Sequence, residues 1–207
     1  MHQGKIFCVG RNKTGTTSLE QALHGFNYRL GNQRQGELLL DDWARRDFRR
    51  IAQLAASADA FQDTPFSLPF TYQALDAAFP GSKFILTLRN SPQDWYESVV
   101  RFHSAIVGKS VPPRADELQA FAYVHPGWLW KTQRLVYGVT DDLLYDRDIY
   151  MRHYVMHNLN VVDYFRCRPG QLLAINLADP TAMEQLCRFL GIEFTGQAMP
   201  HLNRSKT

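Results

Sequence analysis

Cysteine is scarce in this sequence: three residues in 207, Cys8, Cys167 and Cys187, widely spaced and odd in number. That pattern argues against a disulfide framework, and without a CxxC pair or a His/Cys cluster it argues against zinc as well. Long apolar runs are missing too, and none approaches the roughly 20 residues that span a bilayer. At the N-terminus, residues 1–5 lead straight into an apolar stretch at 6–9, with no signal-peptide layout. The expected compartment is therefore the cytoplasm, with no membrane partner. Charge is nearly balanced, since 23 Lys and Arg face 20 Asp and Glu for a net +3. So small an excess gives no argument for a nucleic-acid or membrane surface but suits a small polyanion met by locally gathered cations. No repeat or low-complexity segment occurs.

What is present is an ordinary globular composition, 45% apolar and 13% aromatic, on a length that suits one domain over residues 1–207. Residues 6–9 read as a buried strand ending at Gly10, and 16–24 as a helix with Leu19, Ala22 and Leu23 at helical spacing. A helical face runs through 37–56, carrying Leu38, Leu39, Trp43, Ile51 and Leu54. Residues 58–62 form a weak strand, and 65–79 read as a helix closed by Pro80-Gly81. The clearest strand is 83–88. Pro92 is placed to start a helix reaching about Val107. A helical, partly irregular insertion occupies about 108–145, rich in aromatics and holding Pro112, Pro113 and Pro126. Then come a long helix over 146–166, a strand over 172–175 and a helix from about 180 to 190, stopped by Gly191.

Strands alternate with helices and are apolar on both faces, which predicts a parallel sheet covered by helices, an α/β three-layer sandwich. Ligands of such sheets bind beyond the carboxyl ends of the strands. That rule favours residues 11–17, Asp63 and Arg89 as site candidates.

The run Gly10-Arg11-Asn12-Lys13-Thr14-Gly15-Thr16-Thr17-Ser18 lies between a strand and a helix. Glycines allow a tight turn and close backbone approach to an anion. Amides of Gly15, Thr16, Thr17 and Ser18 are expected to face out of the helix start, where the dipole favours negative charge, and three hydroxyls add donors. An ATPase loop places Lys immediately after the second Gly; here that position is Thr16, and Lys13 stands two residues before Gly15. No strand ends in an Asp suited to magnesium, since 83–88 ends at Arg89. The loop is read as built for a metal-free anion.

This loop resembles the 5′-phosphosulfate loop of the sulfotransferase family, Lys-Ser/Thr-Gly-Thr-Thr, within a P-loop-like α/β fold. The resemblance implies that Arg11, Lys13, Thr14, Gly15, Thr16, Thr17 and Ser18 hold the donor 3′-phosphoadenosine 5′-phosphosulfate, with Lys13 at the bridging oxygen. It also implies release of adenosine 3′,5′-bisphosphate with no metal requirement. Ser18 stands where the family often has an aromatic residue. Residues 83–98 are similar to the family's 3′-phosphate element, with Arg89 at the strand end and Ser98 on the helix, one residue further apart than the usual spacing. The C-terminal stretch resembles that of small bacterial members, and Arg204 there is a third candidate for the 3′-phosphate, against a plain basic tail.

Transfer also needs a base. Where cytosolic members carry a His in Thr-His-Leu-Pro, this chain has Gln62-Asp63-Thr64-Pro65. Asp63 is thus the candidate base if burial raises its pKa, and a helix cap is its competing role. His157, in a Tyr-x-x-His-Asn pattern seen in similar bacterial sequences, is the candidate on the acceptor side. The acceptor is expected to be a small molecule or glycan with a hydroxyl or amine, and no nucleic acid. Competing readings are a P-loop nucleotide kinase or NTPase, and a nucleotide-binding protein without catalysis.

Overall fold

The computed structural model describes residues 4–200. In chain order it contains β1 (Ile6–Cys8), α1 (Thr16–Gly25), α2 (Gln33–Glu37), α3 (Leu40–Ala44), α4 (Arg49–Ala55), β2 (Ala60–Phe61) and α5 (Thr71–Ala78). There follow β3 (Lys83–Leu88), α6 (Pro92–Val107), α7 (Ala115–Ala120), α8 (Trp128–Tyr137), α9 (Arg147–Phe165), β4 (Leu172–Asn176) and α10 (Ala182–Leu190). The chain packs as two compact units: one holds residues up to Arg89 and from Asn158 on, the other Asn90–His157.

The first unit is built on a wholly parallel sheet in the order β2-β1-β3-β4. Period-two alternation sends successive side chains of β1 to opposite faces. Ile6 and Cys8 join Leu19, Leu23, Met183 and Leu186, so α1 and α10 cover that face. Phe7 points the other way, into a stack of rings whose centroids lie 6.0 Å away at Phe61, 6.1 Å at Phe66 and 5.6 Å at Phe84. Phe165, from the end of α9, closes on Phe84 at 4.6 Å. The expected α/β architecture with a central parallel sheet is the one observed. Each fully buried ring contributes about 1.5–3 kcal/mol, which is why so short a strand as β1 holds the centre. The chain runs outward to β2 on one side of β1 and to β3 on the other, so the carboxyl ends of β1 and β3 flank the switch point where such sheets bind ligands.

Two expected helices differ. Residues 63–70 are turns, and α5 starts only at Thr71, after Phe70 at a φ of 66°. Pro69 both lacks an amide and pushes Leu68 out of the helical region. The single helical face over 37–56 is two short helices, α3 and α4, preceded by α2, which ends at Glu37. Arg46, at a φ of 60°, interrupts it, and the buried Asp42 accepts from Arg45 at 2.8 Å and Arg50 at 3.0 Å across the break.

The second unit is helical. Trp95 stacks on Tyr154 at 4.6 Å and Tyr137 on Tyr150 at 3.8 Å. His103 Nδ1 and the Tyr145 hydroxyl are 2.9 Å apart. Tyr96 donates its hydroxyl to the Tyr145 carbonyl at 2.8 Å. The aromatics of the 108–145 insertion are thus partly spent on packing. Among the described residues no helix is long and apolar enough to cross a membrane.

Candidate functional site

The loop after β1 is shaped by what lies beneath it. Val9 still donates to the Ile85 carbonyl at 2.8 Å, and Gly10 then crosses β3 so closely that an added Cβ would sit 2.1 Å from Thr87 Oγ1 and 2.5 Å from its backbone nitrogen. Only glycine fits such an approach. Thr14 turns inward, 2% exposed. Its hydroxyl donates to the Arg11 carbonyl at 2.5 Å and meets Thr87 Oγ1 at 2.5 Å. Thr87 continues the chain to Cys8 Sγ at 3.8 Å. Burial pushes the Cys8 thiol up to about 12, so it stays protonated and inert, as its place in a strand suggested.

Gly15 caps α1 at a φ of 99°, where a Cβ would also lie 2.9 Å from Leu177 Cδ1, just beyond β4. The helix's own bonding begins with Ser18 and Leu19, both donating to the Gly15 carbonyl, at 2.9 and 3.2 Å. The Thr16 and Thr17 amides precede that ladder and add to the positive end of the dipole; the Ser18 amide is used inside the helix. Lys13 stands at a φ of 66°, a region that costs a residue with a side chain about 1–3 kcal/mol and persists only where the surroundings dictate it. Part of that support is Arg89, whose Nε donates to the Lys13 carbonyl at 2.6 Å.

The turn after β2 carries Asp63, also left-handed, at a φ of 58°. Its Oδ1 accepts the Thr64 amide at 2.9 Å and its carbonyl accepts the Ser67 amide at 2.8 Å. The neighbouring Gln62 donates to Glu20 of α1 at 2.8 Å. Asp63 keeps some solvent-accessible surface, yet the dense protein around its carboxyl group raises its pKa above the ordinary carboxylate value. The Thr64 amide and the charges of Arg11 and Lys13 pull the other way and recover only part of that shift. A carboxylate of raised basicity, an ammonium and a helix N-terminus at one sheet edge are suited to moving a proton beside a multiply charged anion.

The family model for the sulfotransferase domain matches residues 5–207. This chain belongs to the sulfotransferase family. No curated relative matches it significantly. Membership makes it one of a family of transferases that move sulfuryl groups.

In this chain the residues singled out from sequence fall in three places. Arg11, Lys13, Thr14, Gly15, Thr16, Thr17 and Ser18 meet Asp63 and Arg89 at the carboxyl edge of the parallel sheet, inside the first unit. Ser98, half-buried on α6, and His157, 3% exposed on α9, belong to the second unit. Arg204 lies outside the described residues. Side-chain direction divides the loop further, because Arg11 and Thr14 are buried while Thr17 is exposed. Sequence reasoning missed Thr87, Leu177 and Ser67, the surfaces that shape the loop. One signal for Thr87 was available, as a lone hydroxyl in the otherwise apolar interior of β3.

Proposed function

We propose that this sulfotransferase takes its sulfuryl group from 3′-phosphoadenosine 5′-phosphosulfate and passes it to a hydroxyl or amine of a small molecule or glycan. The observation that carries the reading is Lys13, two residues before the helix-capping Gly15, anchored through its carbonyl by Arg89 and close enough to Asp63 to favour its ionised form. The donor set fits a phosphosulfate anion: a glycine-shaped cradle, amides at a helix start, hydroxyls of Thr16 and Thr17, and two cations. When bound, the donor supplies the sulfuryl group and a phosphate leaving group. Lys13 then neutralises the negative charge that gathers on the departing phosphate oxygen as its bond to sulfur breaks. Asp63 takes the proton from the acceptor as the acceptor's oxygen or nitrogen bonds to sulfur, so the reaction releases one proton overall. Arg89, a planar donor at the strand end, suits the 3′-phosphate.

The direct test is transfer of label from sulfur-labelled donor to a panel of phenols, alcohols and sugars, without added metal. Label is expected in at least one acceptor, and Lys13→Ala should lower turnover by about 10²–10³-fold, the usual loss when a group stabilising developing charge is removed. Phosphoryl transfer from ATP with magnesium, and none of sulfur, would instead favour the kinase reading. Donor binding with no transfer to any acceptor would leave a non-catalytic binding protein.

A further inference from the structure

Arg11 is 3% exposed, too deeply placed to offer its whole fork to a ligand. Its Nη1 donates to the Ser67 carbonyl at 3.1 Å, and its own carbonyl takes the Thr14 hydroxyl at 2.5 Å. Ser67 in turn donates its amide to the Asp63 carbonyl at 2.8 Å. One side chain thereby joins the exit of β1 to the exit of β2. On the two sides of this link stand Lys13 and Asp63, the two residues proposed to do the chemistry, both in left-handed backbone. Burying a guanidinium costs several kcal/mol before compensation, and an apolar residue of similar volume is often no less stable. A permanent charge with a planar fork, kept here, therefore points to a geometric and electrostatic task.

We propose that Arg11 is a positioning residue that clamps the anion-binding loop to the turn carrying Asp63 and so holds Lys13 and the base in register. The kinetic part of this inference rests on the sulfuryl-transfer reading; the structural part does not. The charged or titratable groups that act on the Asp63 carboxyl are Arg11 and Lys13 of the loop and the Cys8 thiol of β1. Both cations favour the carboxylate and burial opposes it, so loss of Arg11 drives the Asp63 pKa further up.

Two variants separate the roles. Arg11→Met removes fork and charge, whereas Arg11→Lys keeps the charge and loses the fork. In Arg11→Met, turnover is expected to fall about 100-fold, the scale of a misplaced catalytic group. Affinity for adenosine 3′,5′-bisphosphate should stay within about threefold, and the acid limb of the turnover profile should move to higher pH. Arg11→Lys should lie between, with the acid limb unmoved. Carboxyl-carbon NMR of the ligand-free protein follows Asp63 directly: its titration should shift up in Arg11→Met and stay in place in Arg11→Lys. That readout needs no turnover, so it tests the charge contact between Arg11 and Asp63 even if the donor assignment is wrong, and the turnover of Arg11→Lys tests the fork. A parallel loss of bisphosphate affinity would make Arg11 a donor contact, and full turnover in either variant or an unmoved Asp63 titration in Arg11→Met would also overturn the proposal. If Arg11→Met loses cooperative melting, Arg11→Lys decides alone: reduced turnover with an unchanged titration supports the clamp, and wild-type turnover sinks it.

Discussion

Asp63 carries two costs, a left-handed backbone and a carboxyl held in dense surroundings. Because its pKa is raised in the folded state, the folded protein keeps a proton over a pH range where the unfolded chain has already lost it. Stability from this group therefore falls as pH rises from the ordinary carboxylate value, about 3.9, through the raised one. Asn carries no charge at any pH and can still accept the Thr64 amide. Asp63→Asn should accordingly be more stable than the wild type at pH 7, with the difference vanishing below about pH 4, as denaturant unfolding at both pH values would reveal. Its turnover should fall by about 10²–10⁴-fold while bisphosphate affinity is retained. Equal stability at pH 7 would mean that the carboxyl is not held out of water; unchanged turnover would remove Asp63 as the base. A residue that gains stability and loses activity on substitution is the signature expected of a strained working group.

Among the elements, β3 matters most for the proposed donor site, because Arg89 at its end anchors the loop, and α6 follows it directly in the chain. Charge-assisted hydrogen bonds contribute roughly 1.5–3 kcal/mol each, so Arg89→Ala should weaken bisphosphate binding about 10–100-fold. Adenosine 5′-phosphate binding should suffer much less, and calorimetry with both nucleotides would show it. Equal losses would mean that Arg89 acts only through the Lys13 carbonyl. These elements were also the most legible in the sequence. Lys83–Leu88 is apolar from Phe84 on save for Thr87, and Pro92–Val107 has a proline at its first position, a Ser91 cap that accepts the Asp94 amide at 3.0 Å, and a terminal Gly108. Local chemistry determines such bounds. The turn over 63–70 reads as helix because Leu68, Tyr72 and Leu75 recur at helical spacing, and Phe66 is buried beside them. Their burial comes from the ring stack around Phe7 and from tertiary ties, including Arg11 to Ser67 and Trp43 Nε1 to the Pro69 carbonyl at 2.9 Å. Periodicity does not distinguish a buried turn from a buried helix.

At the scale of the whole molecule, a ligand that binds only the folded state stabilises it by mass action. Adenosine 3′,5′-bisphosphate at 100 times its Kd should add about 2.7 kcal/mol, which for a chain of this size raises Tm by roughly 5–11 °C. ATP with magnesium at the same concentration should do little, and the reverse ranking would turn the donor assignment towards a triphosphate. The sequence by itself determined the alternation of strand and helix, the anion loop with its early lysine, and the arginine at the strand end. Those features are contiguous in the chain, and their glycines, hydroxyls and charges act within a few residues of one another. Tertiary structure alone decided which loop side chains face a ligand. Arg11 is turned onto a carbonyl 56 residues away and Thr14 onto a hydroxyl 73 residues away. The same packing set the Asp63 carboxyl within reach of the loop's charges and in surroundings dense enough to raise its pKa. Burial and side-chain direction depend on what lies across the sheet, and the parallel crossovers bring those partners from distant parts of the chain.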